Sequence, residues 1–158
     1  MTNPEDSPWF YIPMLAIAAV FLVIAFTDSA VADDTWLTIN TGSYHINAKK
    51  DYNQKNYGVG IEHHIGDFVL TGGIYRNSSY KNSLYAMGGW LPLKFGEVSI
   101  GAVAGVANGY PGMNDGGVIF VVAGIVGIEF EQVGANLIIL PASDNTPLTL
   151  GAQVKFKF

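Results

Sequence analysis

The carboxy-terminal stretch Leu148 to Phe158 (LTLGAQVKFKF) constrains the fold more than any other part of the chain. Leu150, Ala152, Val154, Phe156 and Phe158 fall on one face of an extended chain, and Thr149, Gly151, Gln153, Lys155 and Lys157 fall on the other, because successive side chains of a strand point to opposite sides. Such a strand needs hydrocarbon against one face and a polar space against the other. A closed membrane barrel supplies both, and its strands alternate in this way.

Upstream the same pattern repeats. After Asp34, eight strand-like segments are separated by turn chemistry: Thr35 to Tyr44, Tyr57 to Ile65, Phe68 to Arg76, Ser83 to Leu93, Val98 to Ala107, Val118 to Phe130, Gly134 to Leu140 and Leu148 to Phe158. Short turns are expected at Gly66-Asp67, Lys94 to Glu97 and Glu131 to Val133. Longer connections are expected at Asn47 to Asn56, Asn77 to Asn82, Asn108 to Gly117 and Pro141 to Pro147. Short turns on one rim and long loops on the other predict an all-β, eight-stranded antiparallel up-and-down transmembrane barrel. In the bacterial layout, that of the Gram-negative outer membrane, the long loops are extracellular and both termini of the mature chain are periplasmic. A soluble lipocalin-like barrel is the competing architecture, but it would show Leu37, Ile39, Leu137 and Ile139 to water. Trp36, Tyr57, Tyr85, Trp90, Phe130, Phe156 and Phe158 fall near strand ends, where lipid-facing aromatic girdles belong.

The amino-terminal region bears on compartment. Trp9 to Phe26 is apolar, and Ala30-Val31-Ala32 precedes Asp33-Asp34 in a small-x-small pattern, so residues 1–32 are read as a signal peptide cleaved after Ala32 and residues 33–158 as the barrel. Glu5 and Asp6 in place of a basic start, and an apolar run almost long enough to span a bilayer, favour an uncleaved anchor instead; Pro13 within the run opposes it. Residues 33–158 hold all eight basic and ten of the thirteen acidic residues, a net charge of −2 that says little about partners. There is no cysteine, which excludes disulfides and thiolate metal sites. No metal is expected: His63 and His64 are adjacent on a strand and face opposite sides, and His45 has no second histidine nearby. No cofactor motif and no nucleic-acid motif is present.

Two strands depart from alternation. Val118 to Ile128 (VIFVVAGIVGI) is apolar on both faces, and Val98 to Ala107 (VSIGAVAGVA) has Ser99 as its one plainly polar inward candidate. A water-filled channel would place polar groups there. The interior is therefore either plugged by its own side chains or holds an apolar cavity fit for an acyl chain.

Reactive side chains gather at the long-loop rim. His45 tops the first strand and Asn77-Ser78-Ser79 tops the third. An imidazole and a hydroxyl together can carry acyl transfer, the imidazole taking a proton while an ester carbonyl is attacked; Ser and Asn are also ordinary loop residues. Lys49, Lys50, Lys55, Arg76 and Lys81 outnumber Asp51, Asp115 and Asp144 at this rim, a balance that suits anionic lipid headgroups or simply solvated loops.

At these residues the chain resembles the outer-membrane lipid A palmitoyltransferases, the PagP-like barrels. Tyr44-His45 sits where that family has Trp-His, the segment Tyr75 to Trp90 (YRNSSYKNSLYAMGGW) is similar to the family's aromatic-Lys-Asp-Ser segment ending in Gly-Tyr-Gly-Trp, and Tyr52-Asn53 also matches. The spacing from Pro141 to the aromatic-x-aromatic end agrees as well. Short barrels encoded by tailed bacteriophages look similar, with a comparable Arg-Asn-Ser segment. The resemblance implies a monomer that moves an acyl chain from a phospholipid to lipid A, the lipid portion of lipopolysaccharide. It implies His45, Asn77 and Ser78 as catalytic positions and Gly89 as the floor of the acyl pocket, while the rim's charge balance makes Lys49, Lys50, Arg76 and Lys81 the expected headgroup contacts. Phe156 and Phe158 resemble the terminal signal read by the outer-membrane assembly machinery. There are departures. Asn77 replaces the family's Asp. Asn40 and Asn56 replace strand prolines associated with lateral lipid entry, which should close that part of the wall, while Pro141 is retained. The family's leading amphipathic helix is not found before the first strand. A non-enzymatic surface or lipid-binding barrel is the alternative function.

Overall fold

The computed structural model describes residues 34–143 and 146–158; the apolar amino-terminal run, the expected cleavage site and Asp144 lie outside them. Eight strands follow one another: β1 (Thr35–His45), β2 (Gly58–Ile65), β3 (Phe68–Arg76), β4 (Asn82–Phe95), β5 (Val98–Ala107), β6 (Ile119–Glu129), β7 (Val133–Leu140) and β8 (Thr149–Lys157). Each is antiparallel to the next, and β1 pairs with β8 to close the barrel. Closure gives every strand a neighbour on both sides, so most backbone N–H and C=O groups find partners without water. The expected architecture, strand count and division into a turn rim and a loop rim are all present. The β2–β3 and β4–β5 turns each use a glycine at positive φ, Gly66 at 62° and Gly96 at 61°, a conformation that side chains with a Cβ adopt reluctantly.

The outer face is a hydrocarbon-compatible belt. Leu37, Val59, Ile74, Trp90, Phe120 and Val154 are among the large apolar residues exposed on it. Each would gain roughly 1.5–3 kcal/mol if fully withdrawn from water, and a continuous belt of this kind exceeds what soluble surfaces carry. Tyr57, Trp90, Phe130, Phe156 and Phe158 are exposed, as a girdle requires. Trp36 and Tyr85 are not: Trp36 is 1% exposed and both lie inside. Trp36 shares its face with inward Thr38, and Tyr85 with inward Ser83, so strand parity overrides nearness to a strand end.

Inside, the half nearer the turns is filled. Val69, Leu91, Val103, Ala123 and Ile125 form an apolar plug on the β3–β6 side. Opposite it, Lys155 places its ammonium 2.5 Å from Glu62 Oε1 and 2.6 Å from Glu129 Oε1, and 5.1 Å from the Trp36 ring centroid. His64 Nε2 lies 2.8 Å from the same Glu62 oxygen, and Asn136 Nδ2 donates to Glu62 Oε2 at 2.7 Å. The half nearer the loops is hollow, with a cavity of about 340 Å³. The two interiors that the sequence left open thus coexist, one above the other.

Candidate active site at the loop rim

Neighbouring strands bring the rim residues together. β1 ends at His45 and β3 at Arg76, with β2 between them. The long 46–57 loop folds back across the gap: Asn53 N–H donates to Ser78 O at 3.0 Å, and Asn53 Nδ2 donates to Asn77 O at 3.1 Å. His45 and Ser78 meet there, with Nε2 2.9 Å from Oγ. The imidazole stacks on Tyr52, centroids 4.4 Å apart and planes 5° from parallel, and Lys50 Nζ sits 4.9 Å from the other partner of that stack, the Tyr52 ring. His45 Nδ1 is buried without a hydrogen-bond partner, so stacking rather than a carboxylate orients the ring.

Asn77 does not join this pair. Its Nδ2 donates to Ser83 Oγ at 2.9 Å and to Gly109 O at 2.6 Å, and its Oδ1 accepts from Ser79 N at 2.8 Å and Lys81 N at 3.0 Å. The amide is fully used in clamping two loops, an Asx-type arrangement. In a turn, neighbours in sequence point apart. Its backbone nevertheless helps to place Ser78.

His45, Lys50, Tyr52 and Ser78 line the cavity mouth. Below them the walls differ. Met87, Val103, Ile125 and Ile138 present hydrocarbon, whereas Asn40, Thr71, Tyr85 and Gln153 present polar groups. Tyr110 reaches in from the 108–118 loop, its hydroxyl 2.5 Å from that of Tyr75. The tyrosines were missed in the sequence as cavity residues; for Tyr75 and Tyr85 the signal was inward strand parity. Gly89 faces inward just below the cavity, where an added Cβ would lie 2.5 Å from Val103 Cγ1 and 2.9 Å from Val69 Cγ1. Lys49, Arg76 and Lys81 are exposed at the rim and do not line the cavity.

The wall is incomplete at one place. β6 pairs with β7 only from Gly124 to Glu129, and among the described residues Ile119 to Ala123 form ladder pairs with β5 alone. β7 stops at Leu140, before Pro141. Between β1 and β2, by contrast, the ladder runs to Asn40 and Gly58, and above it Ser43 N–H donates to Gln54 O at 2.9 Å while Ser43 Oγ donates to Asn56 Oδ1 at 2.5 Å. Asn56 thus ties that seam together.

A metal-like grouping that the sequence did not suggest occurs near the turn rim, where ligand atoms of Glu62, His64 and Glu129 lie within 4.8 Å of one another. The Lys155 ammonium already occupies the space between the two carboxylates. His64 faces inward, and His63 bonds Thr35 Oγ1 on the other face at 2.9 Å, so the two histidines do diverge.

Compared with family models and with curated proteins, the sequence matches none. Among solved structures the barrel is similar to a de novo designed transmembrane β-barrel, with a TM-score of 0.57 and 11% sequence identity over 84% of this chain and 100% of that one. That likeness concerns the fold: an eight-stranded transmembrane β-barrel, in keeping with the apolar belt.

Proposed function

We propose that this barrel is a PagP-like acyltransferase of the outer membrane, with the His45–Ser78 pair as its reactive centre and the cavity as its acyl-chain site. The observation that carries the reading is the 2.9 Å contact between His45 Nε2 and Ser78 Oγ at the mouth of a partly apolar cavity. Ser78 Oγ attacks the ester carbonyl of a phospholipid as its proton passes to His45 Nε2. The lysophospholipid oxygen leaves with that proton. An acceptor hydroxyl on lipid A then gives its proton to His45 and attacks the acyl-serine, and the proton returns to Ser78 as the acyl chain departs. Lys50 at the mouth, with Lys49, Arg76 and Lys81 on the rim, attracts the anionic headgroups. The unpaired stretch of β6 beside Pro141 gives the chain a route from the bilayer. In this reading the long loops face the cell exterior, residues 1–32 are removed on export, and Phe156 and Phe158 are read by the assembly machinery.

A second reading is favoured by Asn77: with no carboxylate on His45, the barrel binds a lipid without transferring it. Mass spectrometry of lipid A from cells expressing wild type, His45→Ala and Ser78→Ala separates the two. An added acyl chain in wild type alone supports transfer. No added chain from a folded, heat-modifiable wild-type barrel rejects it.

A further inference from the structure

We propose that Lys50 makes the strength of His45 as a base conditional on the donor's headgroup: its ammonium opposes positive charge on the imidazole until a lipid phosphate neutralises it. The coupling rests on the acyl-transfer reading of this site and narrows its donor class to phosphate-bearing esters.

The transfer step puts a full positive charge on His45. As Ser78 Oγ bonds to the carbonyl carbon, its proton passes to Nε2, 2.9 Å away, and the ring becomes an imidazolium. For Nε2 to accept, the proton of the neutral ring must sit on Nδ1, which is buried without a hydrogen-bond partner. No carboxylate is therefore bonded to the ring to offset the new charge. What meets the ring instead is the face of Tyr52, 4.4 Å between centroids and 5° from parallel, a π surface that attracts a cation.

A second cation already uses that surface. Lys50 Nζ lies 4.9 Å from the Tyr52 centroid. Ammonium and imidazole are thus under about 10 Å apart, no farther than a screening length in dilute salt, and a like charge at that range disfavours protonation. Among the residues lining the cavity, Lys50 and Glu62 are the two that carry a full charge at neutral pH. Glu62 belongs to the turn side and is held by Lys155 at 2.5 Å. The other titratable groups of the lining, Tyr52, Tyr75, Tyr85 and Tyr110, are phenols. Asp51, next to Lys50 in sequence, accepts from Tyr80 at 3.4 Å, and among the described residues no ion pair joins Lys50 to a carboxylate. Lys50 is exposed and can reach a phosphate. An ester without phosphate leaves two cations on one aromatic ring as the imidazolium forms. A phosphate paired with Lys50 removes the like charge and returns the Tyr52 face to the imidazolium, so headgroup recognition acts on the chemical step as well as on binding.

The test uses the full barrel in dodecyl maltoside micelles at low salt and in excess over the donor, so that released lysolipid counts acyl-serine formation in a single turnover. Didodecanoyl phosphatidylglycerol and didodecanoylglycerol present the same esters with and without phosphate. At saturating protein, wild type is expected to react about three- to tenfold faster with the phospholipid. Lys50→Gln should react faster than wild type with didodecanoylglycerol, bringing the two donors toward parity, and Lys50→Arg should keep the wild-type pattern. A Lys50→Gln rate on didodecanoylglycerol equal to or below that of wild type, or an effect confined to apparent affinity, reduces Lys50 to a docking charge and overturns the coupling. A second readout needs no turnover. By nitrogen NMR the protonation midpoint of His45 should lie about half a pH unit to one unit higher in Lys50→Gln than in wild type. It should rise likewise in wild type on adding inorganic phosphate, and not on adding chloride at the same ionic strength. A midpoint unmoved in either comparison overturns the coupling. No lysolipid from either donor, with wild type shown folded by its heat-modifiable mobility, rejects the acyl-transfer reading, and the midpoint then decides the coupling by itself.

Discussion

His45 and Ser78 meet at 2.9 Å although 33 residues separate them in the chain. The contact depends on Asn53, which bonds the backbone of both Asn77 and Ser78 and so pulls the third-strand loop toward the end of the first strand. Neither partner is oriented by a charged group. The site is therefore built from stacking and loop-to-loop hydrogen bonding, and its integrity rests on the residues that clamp those loops.

Asn77 is the first of these. All four bonds of its side chain are made inside the loops, so Asn77→Ala should lower stability by roughly 2–4 kcal/mol, several neutral hydrogen bonds at about 1 each with buried partners left unpaired. Asn77→Asp, which restores the residue type of the resembling family, should also destabilise. It removes the two N–H donors and sets a carboxylate oxygen against the Gly109 carbonyl. Urea titration followed by tryptophan fluorescence checks both, and a more stable or more active Asn77→Asp barrel would contradict the clamp.

How much of this could be read beforehand depends on how local the cause was. The alternation of Leu148 to Phe158 needs only period two, and the strand it predicts is present with Gln153 and Lys155 inward and Val154 and Phe156 outward. The same rule, applied strictly, would have turned Trp36 and Tyr85 inward, since each shares parity with a polar neighbour two residues away. Nearness to a strand end was the weaker guide. His45 and Ser78 were legible as rim residues because strand ends fix a rim. The clamp of Asn77 was not, because its partners Ser83 and Gly109 come from the next strand and the next loop. Nor was the pairing of Lys155 with Glu62 and Glu129, which requires the register of three strands around a closed barrel.

Gly89 lies just below the cavity, in a space too tight for a side chain. In Gly89→Ala the new methyl meets Val103 Cγ1, Val69 Cγ1 and the Ala102 carbonyl, at 2.5, 2.9 and 2.8 Å. Overpacking of this kind costs about 1–3 kcal/mol, and because Val103 also lines the cavity, relief by moving Val103 upward shortens the space above. Fatty-acid displacement should show the optimum shifting to shorter chains. The double variant Gly89→Ala/Val103→Ala should regain both stability and length preference; unchanged chain preference in the single variant would place the floor elsewhere.

Tyr110 pins the 108–118 loop over the cavity through its 2.5 Å hydroxyl contact with Tyr75. Tyr110→Phe leaves the Tyr75 hydroxyl without that partner, at a cost of about 1–3 kcal/mol, and should raise both the rate of fatty-acid entry and the rate of proteolysis within the loop. Burial holds the Tyr110 phenol above its usual titration range. A raised acid pKa means that the folded state favours the neutral form, so closure is fully present below the ordinary value near about 10 and weakens only as pH rises past it. Entry rates that climb already between neutral pH and mildly alkaline pH would show that another group governs the loop.

Lys155 carries the sharpest energetic prediction. Its ammonium is 1% exposed by side chain and lies within 2.6 Å of two carboxylates, one of them Glu62, itself 2% exposed. Replacing it with methionine keeps most of the volume and removes the charge, which leaves Glu62 and Glu129 facing each other with only His64 and Asn136 as polar neighbours. Breaking a buried pair by removing one partner costs about 3–5 kcal/mol, whereas removing the whole pair is far milder. Lys155→Met should therefore fold poorly or unfold at markedly lower urea, and Lys155→Met/Glu62→Gln should recover much of the loss, because the remaining amide can still bond Asn136 and His64. A double-mutant cycle on refolded barrels gives the coupling directly. If the two losses simply add, the network is a bystander; strong coupling makes it the fastening that closes β8 onto β2 across the barrel interior.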